Sequence, residues 1–126
     1  MKNSIREIQE KRDLIIYGKK DYDNYTSFHD LSFSKLNQLV SEKLINLDEQ
    51  QNDAPTIEEI YDFMKKYPSF TCHGYVIRNR PDHRVSLEGV NYRGIPTIEM
   101  ISDFADLFRH ADDFMIQEEN LYCWFD

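Results

Sequence analysis

One nine-residue segment occurs twice in this chain, and each copy carries the signals that start a helix. Residues 55–63 and 96–104 share seven of nine positions at an offset of 41 residues, and both open with Pro-Thr-Ile-Glu. Thr56 and Thr97 are suitable N-cap residues, because a threonine hydroxyl accepts a hydrogen bond from an amide of the first turn. Glu59 completes a Thr-x-x-Glu capping box behind Thr56. The repeat therefore predicts two helices that begin at equivalent points.

Each predicted helix is followed by sequence typical of two strands. In the first unit, Pro68 ends the helix and the apolar period changes to two over 71–78 and 84–92, with turn-forming residues between them. In the second unit, the helix extends to about residue 110, and two short apolar runs follow at 114–116 and 121–125. The residues expected to face inward from the second helix are Ile98, Ile101, Phe104, Ala105 and Phe108.

The order helix, strand, strand, helix, strand, strand over residues 55–126 predicts an α+β fold. Its economical form is an antiparallel sheet of about four strands with two helices packed on one face. The repeat has two interpretations. Two pseudo-equivalent units enclose a composite site, or two helices solve the same packing problem on one sheet.

The first part of the chain, residues 1–50, predicts two further helices. One begins at Ser4, where Ser4 and Glu7 form a capping box, and ends at Gly18. The other covers about 33–44, and residues 19–30 are expected to form a loop. With 126 residues the chain fits one domain, so we expect a single domain with an N-terminal helical part and an α+β part at 55–126.

The two central strands have a register that follows from their apolar residues. Placing Arg78 opposite Arg84 brings Ile77 opposite Val85 and Tyr75 opposite Leu87, which gathers apolar side chains on one face. His73 then lies on that apolar face. Arg78, Arg84, Ser86 and Glu88 are expected on the other face.

Basic residues concentrate around this hairpin, although the chain as a whole is acidic. The net charge is −8, and residues 70–95 hold four Lys/Arg against two Asp/Glu. The candidate binding residues are Arg78, Arg80, His83, Arg84 and Arg93. Guanidinium groups bind phosphate and carboxylate bidentately, so an anion, nucleotide or RNA site is one hypothesis. A structural salt-bridge cluster with Glu88, Asp82 or the acidic C-terminal segment is the other.

Several classes of function lack support in the sequence. The acidic balance argues against non-specific DNA binding. No catalytic, cofactor or metal motif is recognisable, so we expect no cofactor and no metal, and a small enzyme using His73 and Tyr75 is a secondary hypothesis. Cys72 and Cys123 have no zinc spacing and are expected to be buried thiols of a cytoplasmic protein. We also expect no membrane association, because no apolar stretch is long enough to span a bilayer.

The C-terminal segment is unusually apolar for a chain end. Tyr122, Trp124 and Phe125 indicate either a docked final strand or an interface. Residues 96–126 hold one Lys/Arg against eight Asp/Glu. The leading hypothesis is therefore a small protein-interaction module, such as an inhibitor, immunity or antitoxin-like partner of a basic protein. A homodimer is a further option.

Overall fold

The described residues form a five-stranded antiparallel sheet with four helices. The computed structural model describes residues 5–19, 23–78 and 84–126. The elements in chain order are α1 (Ile5–Tyr17), β1 (Tyr25–Ser32), α2 (Phe33–Ser41), α3 (Ile57–Lys66), β2 (Thr71–Ile77), β3 (Val85–Arg93), α4 (Ile98–Phe108), β4 (Asp113–Gln117) and β5 (Asn120–Trp124). The sheet order is β1-β2-β3-β5-β4. The predicted α+β class is confirmed, with one strand more than expected.

Helices α3 and α4 begin at the predicted threonine caps. Thr56 Oγ1 accepts from the Glu59 amide at 3.2 Å, and Glu59 Oε1 accepts from the Thr56 amide at 3.0 Å, which completes the capping box. Thr97 Oγ1 accepts from the Met100 amide at 3.1 Å. The second cap has no box, because Met100 stands where the first copy has Glu59.

The two repeated units are arranged with twofold topology. The unit α3-β2-β3 meets the unit α4-β4-β5 where β3 pairs antiparallel with β5. Within the order β2-β3-β5-β4, exchanging the two units leaves the arrangement unchanged, so β2 corresponds to β4. Strand β1 breaks this correspondence, because it pairs with the outer edge of β2.

Strand β1 lies where we expected a loop, so that prediction is wrong. Its two buried apolar residues, Phe28 and Leu31, are three positions apart, which does not fit a period of two. The register with β2 shifts between them, and Asp30 adopts a positive φ of 54°. This β-bulge adds a residue to the strand and returns Leu31 to the same face as Phe28.

The predicted β2–β3 register holds for only half of the hairpin. Cys72 pairs with Val90 as that register requires, but beyond His73 the pairing shifts by one residue, so Val76 pairs with Val85 and Arg84 lies opposite Ile77. The extra residue is Glu88. Arg78 and Arg84 are therefore not opposite each other, and Tyr75 and Ile77 do not share a face with Val85, because a one-residue slip inverts the face of every side chain.

The core lies between the sheet and the helices. Phe63 of α3 contacts Phe70 and Phe108 edge-on, with ring centroids 4.8 Å and 5.1 Å away. Cys72 and Cys123 are free thiols that point into this core, and burial raises the pKa of each to about 12. Helix α1 packs on β1 through Tyr17 and Phe28. The opposite face of the sheet carries His73, Tyr75 and Tyr122, among others.

Candidate protein-interaction surface

Arg78 is engaged by the protein itself. Its Nε and Nη2 donate to the two carboxylate oxygens of Asp13, each at 3.1 Å, and its Nη1 donates to the Asp23 carbonyl and to Thr26 Oγ1, each at 2.8 Å. The guanidinium also lies over the ring of Tyr17. A bidentate pair of this kind ties the end of β2 to α1 and favours a structural role for Arg78.

The other candidate arginines that the structure describes, Arg84 and Arg93, do not converge with it. Arg84 donates from Nε to Ser86 Oγ at 2.6 Å and from Nη2 to the Gln50 carbonyl at 2.9 Å, so it fastens the loop before α3 to β3. Arg93 lies at the far end of β3, roughly 30 Å along the strand from Arg84. It is largely exposed and lies 3.7 Å from Asp30. Arg80 and His83 lie outside the described residues.

The expected acidic partner of the arginines has a different contact. Glu88 Oε2 accepts from the indole Nε1 of Trp124 at 3.2 Å, and its carbonyl accepts from the Phe125 amide at 2.7 Å. Burial raises the pKa of the Glu88 carboxyl, and the Trp124 hydrogen bond opposes that shift. The bulge residue therefore anchors the C-terminal strand rather than an arginine.

His73 is a buried histidine whose ring already has a partner. Its Nε2 lies 3.0 Å from the Cys123 carbonyl, which accepts the ring N–H, and the ring stacks on Tyr122 with centroids 5.3 Å apart. The ring reaches β5 by crossing over Gly89, which has no side chain to block it. Burial lowers the pKa of His73. Tyr75, the other residue of the enzyme hypothesis, donates its hydroxyl to Gln51 Oε1.

The three C-terminal aromatic residues occupy two environments. Phe125 is fully buried in the core, whereas Tyr122 and Trp124 are half-buried on the sheet face opposite the helices. The segment forms an interior strand, β5, between β3 and β4. A docked final strand accounts for its apolar character.

Exposed apolar side chains concentrate at the β4 edge of the sheet. Of the seven large apolar side chains that are exposed among the described residues, five belong to α4, the loop before it, and β4. We call these five the β4 edge patch: Ile95, Ile98, Phe114, Met115 and Ile116. The other two, Leu14 and Tyr25, lie on α1 and β1.

The buried face of helix α4 differs from the one predicted. Its buried residues are Met100, Phe104 and Phe108, and Ile98 is 87% exposed, so the expected inward position of Ile98 is wrong. Phe104 stacks on Phe114 of β4 with centroids 5.2 Å apart, so α4 contacts this strand through its buried face. The Gly94 amide donates to the Glu119 carbonyl at 3.0 Å, so the loop that leads into α4 lies at the Ile116 end of β4.

The patch covers both faces of the edge strand. Phe114 and Ile116 pair with Cys123 and Leu121 and point to the helix side, whereas Met115 pairs with Tyr122 and points to the other side. Every residue from Asp112 to Glu119 is exposed. Two carboxylates flank each end of β4, and these are Asp112, Asp113, Glu118 and Glu119. The surface is therefore an apolar strip with acidic ends.

Sequence reasoning located the acidic segment but missed the patch. The repeat predicts the same environment for Ile57 and Ile98, because both occupy the third position of Pro-Thr-Ile-Glu. Ile57 is 1% exposed, whereas Ile98 is 87% exposed. The only available signal was the concentration of isoleucines at 95, 98 and 101, which exceeds what one buried stripe of a helix needs.

Other kinds of site find no support in the part of the chain that the structure describes. No group of three or more His, Cys, Asp or Glu there is arranged to hold a metal ion. In residues 5–19, 23–78 and 84–126, no helix combines the length and apolarity needed to cross a bilayer. Comparisons with known protein families, with curated proteins and with solved structures return no significant match.

Proposed function

We propose that this protein is a protein-interaction module that binds a basic protein through the β4 edge patch. The observation that carries the proposal is the concentration of exposed apolar side chains along one sheet edge. Scattered surface apolar residues are normal, but a contiguous group rimmed by polar residues is typical of a binding surface. Ile98 and Ile95, at 87% and 74% exposed, leave most of their apolar area in water until a partner covers it.

Charge supports a basic partner. Residues 96–126 contribute −7 of the net −8, from one Lys/Arg and eight Asp/Glu. Acidic residues at both ends of an apolar strip attract a basic protein during approach and penalise acidic competitors. An inhibitor, immunity or antitoxin-like role fits this chemistry, because such proteins act by covering a partner. Free, buried thiols fit a cytoplasmic location.

Capture of the partner by matched variants tests the proposal. Tagged protein is incubated with an extract of its source cells at low and at moderate salt, and bound proteins are quantified. We expect one basic protein in stoichiometric amount, retained by wild type and by Leu14→Ser, and reduced roughly tenfold or more by the double variant Ile98→Ser, Ile116→Ser. Leu14 is the control because it is an exposed apolar residue on α1.

Two results would contradict the proposal. One is the absence of a stoichiometric partner at either salt concentration. The other is equal capture by the double variant and by wild type, which would place any interaction elsewhere on the molecule.

A further inference from the structure

The outer edge of β4 presents backbone groups that β5 does not use. The Phe125 amide donates to the Glu88 carbonyl at 2.7 Å. The backbone N–H and C=O groups of the odd-numbered residues of β5 therefore point toward β3. Successive residues of a strand direct their backbone groups to opposite sides. The backbone N–H and C=O of Tyr122 therefore point toward β4, where they face those of Met115. The N–H and C=O groups of Phe114 and Ile116 must therefore point away from the sheet.

The two edges of the sheet differ in how they are protected. Strand β1, at one edge, carries a bulge and a residue with positive φ at Asp30. Strand β4, at the other, pairs with β5 over five consecutive residues without a bulge, and Asp-Phe-Met-Ile-Gln contains no lysine or proline. Bulges, lysines and prolines are the usual devices that prevent an edge from accepting another strand. The β4 edge lacks them.

The fold contains its own example of a strand added at this kind of edge. Under the twofold correspondence of the repeated units, β2 and β4 are equivalent, and β1 covers the outer edge of β2 in antiparallel orientation. We infer that the partner of the proposed interaction binds as an extended antiparallel strand on the outer edge of β4, in the place that β1 occupies on β2. This inference rests on the proposed function and specifies its binding mode.

The chemistry of β4 specifies the chemistry of that strand. Partner residues opposite Phe114 and Ile116 fall on the helix side, where α4 presents Ile98, so they should be apolar. The residue opposite Met115 falls on the other side and is less restricted. Partner residues beyond these meet the acidic ends of β4 and should be Lys or Arg. The expected ligand is an extended segment with alternating apolar residues between basic ends.

A second copy of this chain is a poor occupant of the same edge. Antiparallel self-pairing centred on Met115 would place Asp112 of one copy opposite Glu118 of the other, at both ends of the strand. Like charges directly opposite each other destabilise a strand pair. The net charge of −8 adds repulsion between the two copies.

A designed peptide tests the inference with controls on both molecules. The probe is acetyl-Lys-Arg-Val-Thr-Val-Arg-Lys-amide carrying a fluorophore, with binding followed by anisotropy. Its control carries N-methyl groups on both valines, which keeps charge and composition but removes the amides that would face Phe114 and Ile116. On the protein, Ile116→Pro removes an outward N–H, and Ile116→Ala shortens the same side chain while retaining that N–H. Circular dichroism and melting confirm that both variants fold.

We expect wild type to bind the probe with a Kd of roughly 0.1 mM and the N-methylated peptide at least about tenfold more weakly. Ile116→Pro should weaken binding roughly tenfold or more, and Ile116→Ala only about two- to fivefold. In wild type, hydrogen exchange at the Phe114 and Ile116 amides should slow when the probe is bound. The partner captured from cells should respond to the two variants in the same order.

Three results would overturn strand addition. They are no binding of the probe by wild type at about 1 mM, equal binding by Ile116→Pro and Ile116→Ala, and a concentration-dependent dimer that protects the Phe114 and Ile116 amides. If the captured partner still depends on Ile98 and Ile116 while any of these results holds, the proposed function stands and the binding mode is wrong. If capture does not depend on those residues, the proposed function itself fails.

Discussion

Replacing Arg78 with Gln removes the bidentate partner of a carboxylate that cannot reach water. The side chains of Arg78 and Asp13 are 7% and 3% exposed, and the guanidinium supplies two of the contacts that hold the Asp13 oxygens. Removing one member of a buried ion pair costs about 3–5 kcal/mol, because the remaining charge stays buried. Arg12, 3.7 Å from the same carboxylate, offsets part of that cost.

We therefore expect Arg78→Gln to lower the free energy of unfolding by about 3 kcal/mol, near the lower end of the range for buried pairs. For a chain of this length that corresponds to a fall in Tm of roughly 12 °C. Urea unfolding followed by far-UV circular dichroism measures the first quantity, and a thermal scan measures the second. The urea slope should stay unchanged if only stability is affected.

Arg93→Gln is the matched control, since it removes the same charge at the other end of the arginine-rich region. Arg93 is 76% exposed and its contact with Asp30 is 3.7 Å long, so we expect a change within about 0.5 kcal/mol. A loss of less than about 1 kcal/mol for Arg78→Gln, or equal losses for the two variants, would refute the structural role. Arg78 would then be available to a ligand.

Three further changes probe the sheet. Gly89→Ala places a methyl group against the Cys123 carbonyl and should lower the free energy of unfolding in urea by about 3 kcal/mol, as overpacking does. His73→Gln should flatten the pH dependence of stability below about pH 6.5, measured by urea unfolding at pH 7 and pH 5. Burial lowers the pKa of His73, so the unfolded chain binds a proton first and wild type loses stability as the pH falls. Deleting residues 122–126 removes the buried Phe125 and should prevent folding, as seen by circular dichroism and gel filtration.

Each of these predictions has a result that would contradict it. If Gly89→Ala were as stable as wild type, β3 and β5 would be able to move apart at little cost in free energy. An unchanged pH slope in His73→Gln would assign the acid sensitivity to other groups. A folded, monomeric product of the deletion would show that β5 is dispensable to the core.

Local sequence signals were sufficient to predict where the repeated helices begin, but they did not predict the two β-bulges. The threonine caps of α3 and α4 depend on residues within one turn, so the sequence alone locates them. Strand β1 was not predicted, because its bulge places Phe28 and Leu31 three positions apart. That spacing is typical of a helix and not of a strand. In β3 the apolar residues change from odd to even numbers between Leu87 and Val90, and this change of parity was the readable sign of the bulge at Glu88.

The exposed surface depends on contacts that no local pattern encodes. Ile57 and Ile98 belong to identical motifs, yet only Ile57 is buried. Helix α3 has a neighbour on its side, since Tyr61 stacks on Phe33 of α2 with centroids 5.6 Å apart. Among the described residues, α4 has no such helix beside Ile98. Neighbouring helices decide which flank of an amphipathic helix is buried. These neighbours come from distant parts of the chain, so the local sequence does not predict them.

The extra residue in β3 can be removed without inverting the faces of the residues on either side of it. Removing Glu88 would leave Leu87 and Val90 on the helix side in regular alternation, whereas removing Leu87 would turn the Glu88 carboxylate toward the core. Removing Gly89 would instead place Glu88 where a Cβ meets the Cys123 carbonyl. Length variation among homologous sequences should therefore fall on this residue. Homologues that lack it should also replace Trp124, whose indole would lose its acceptor.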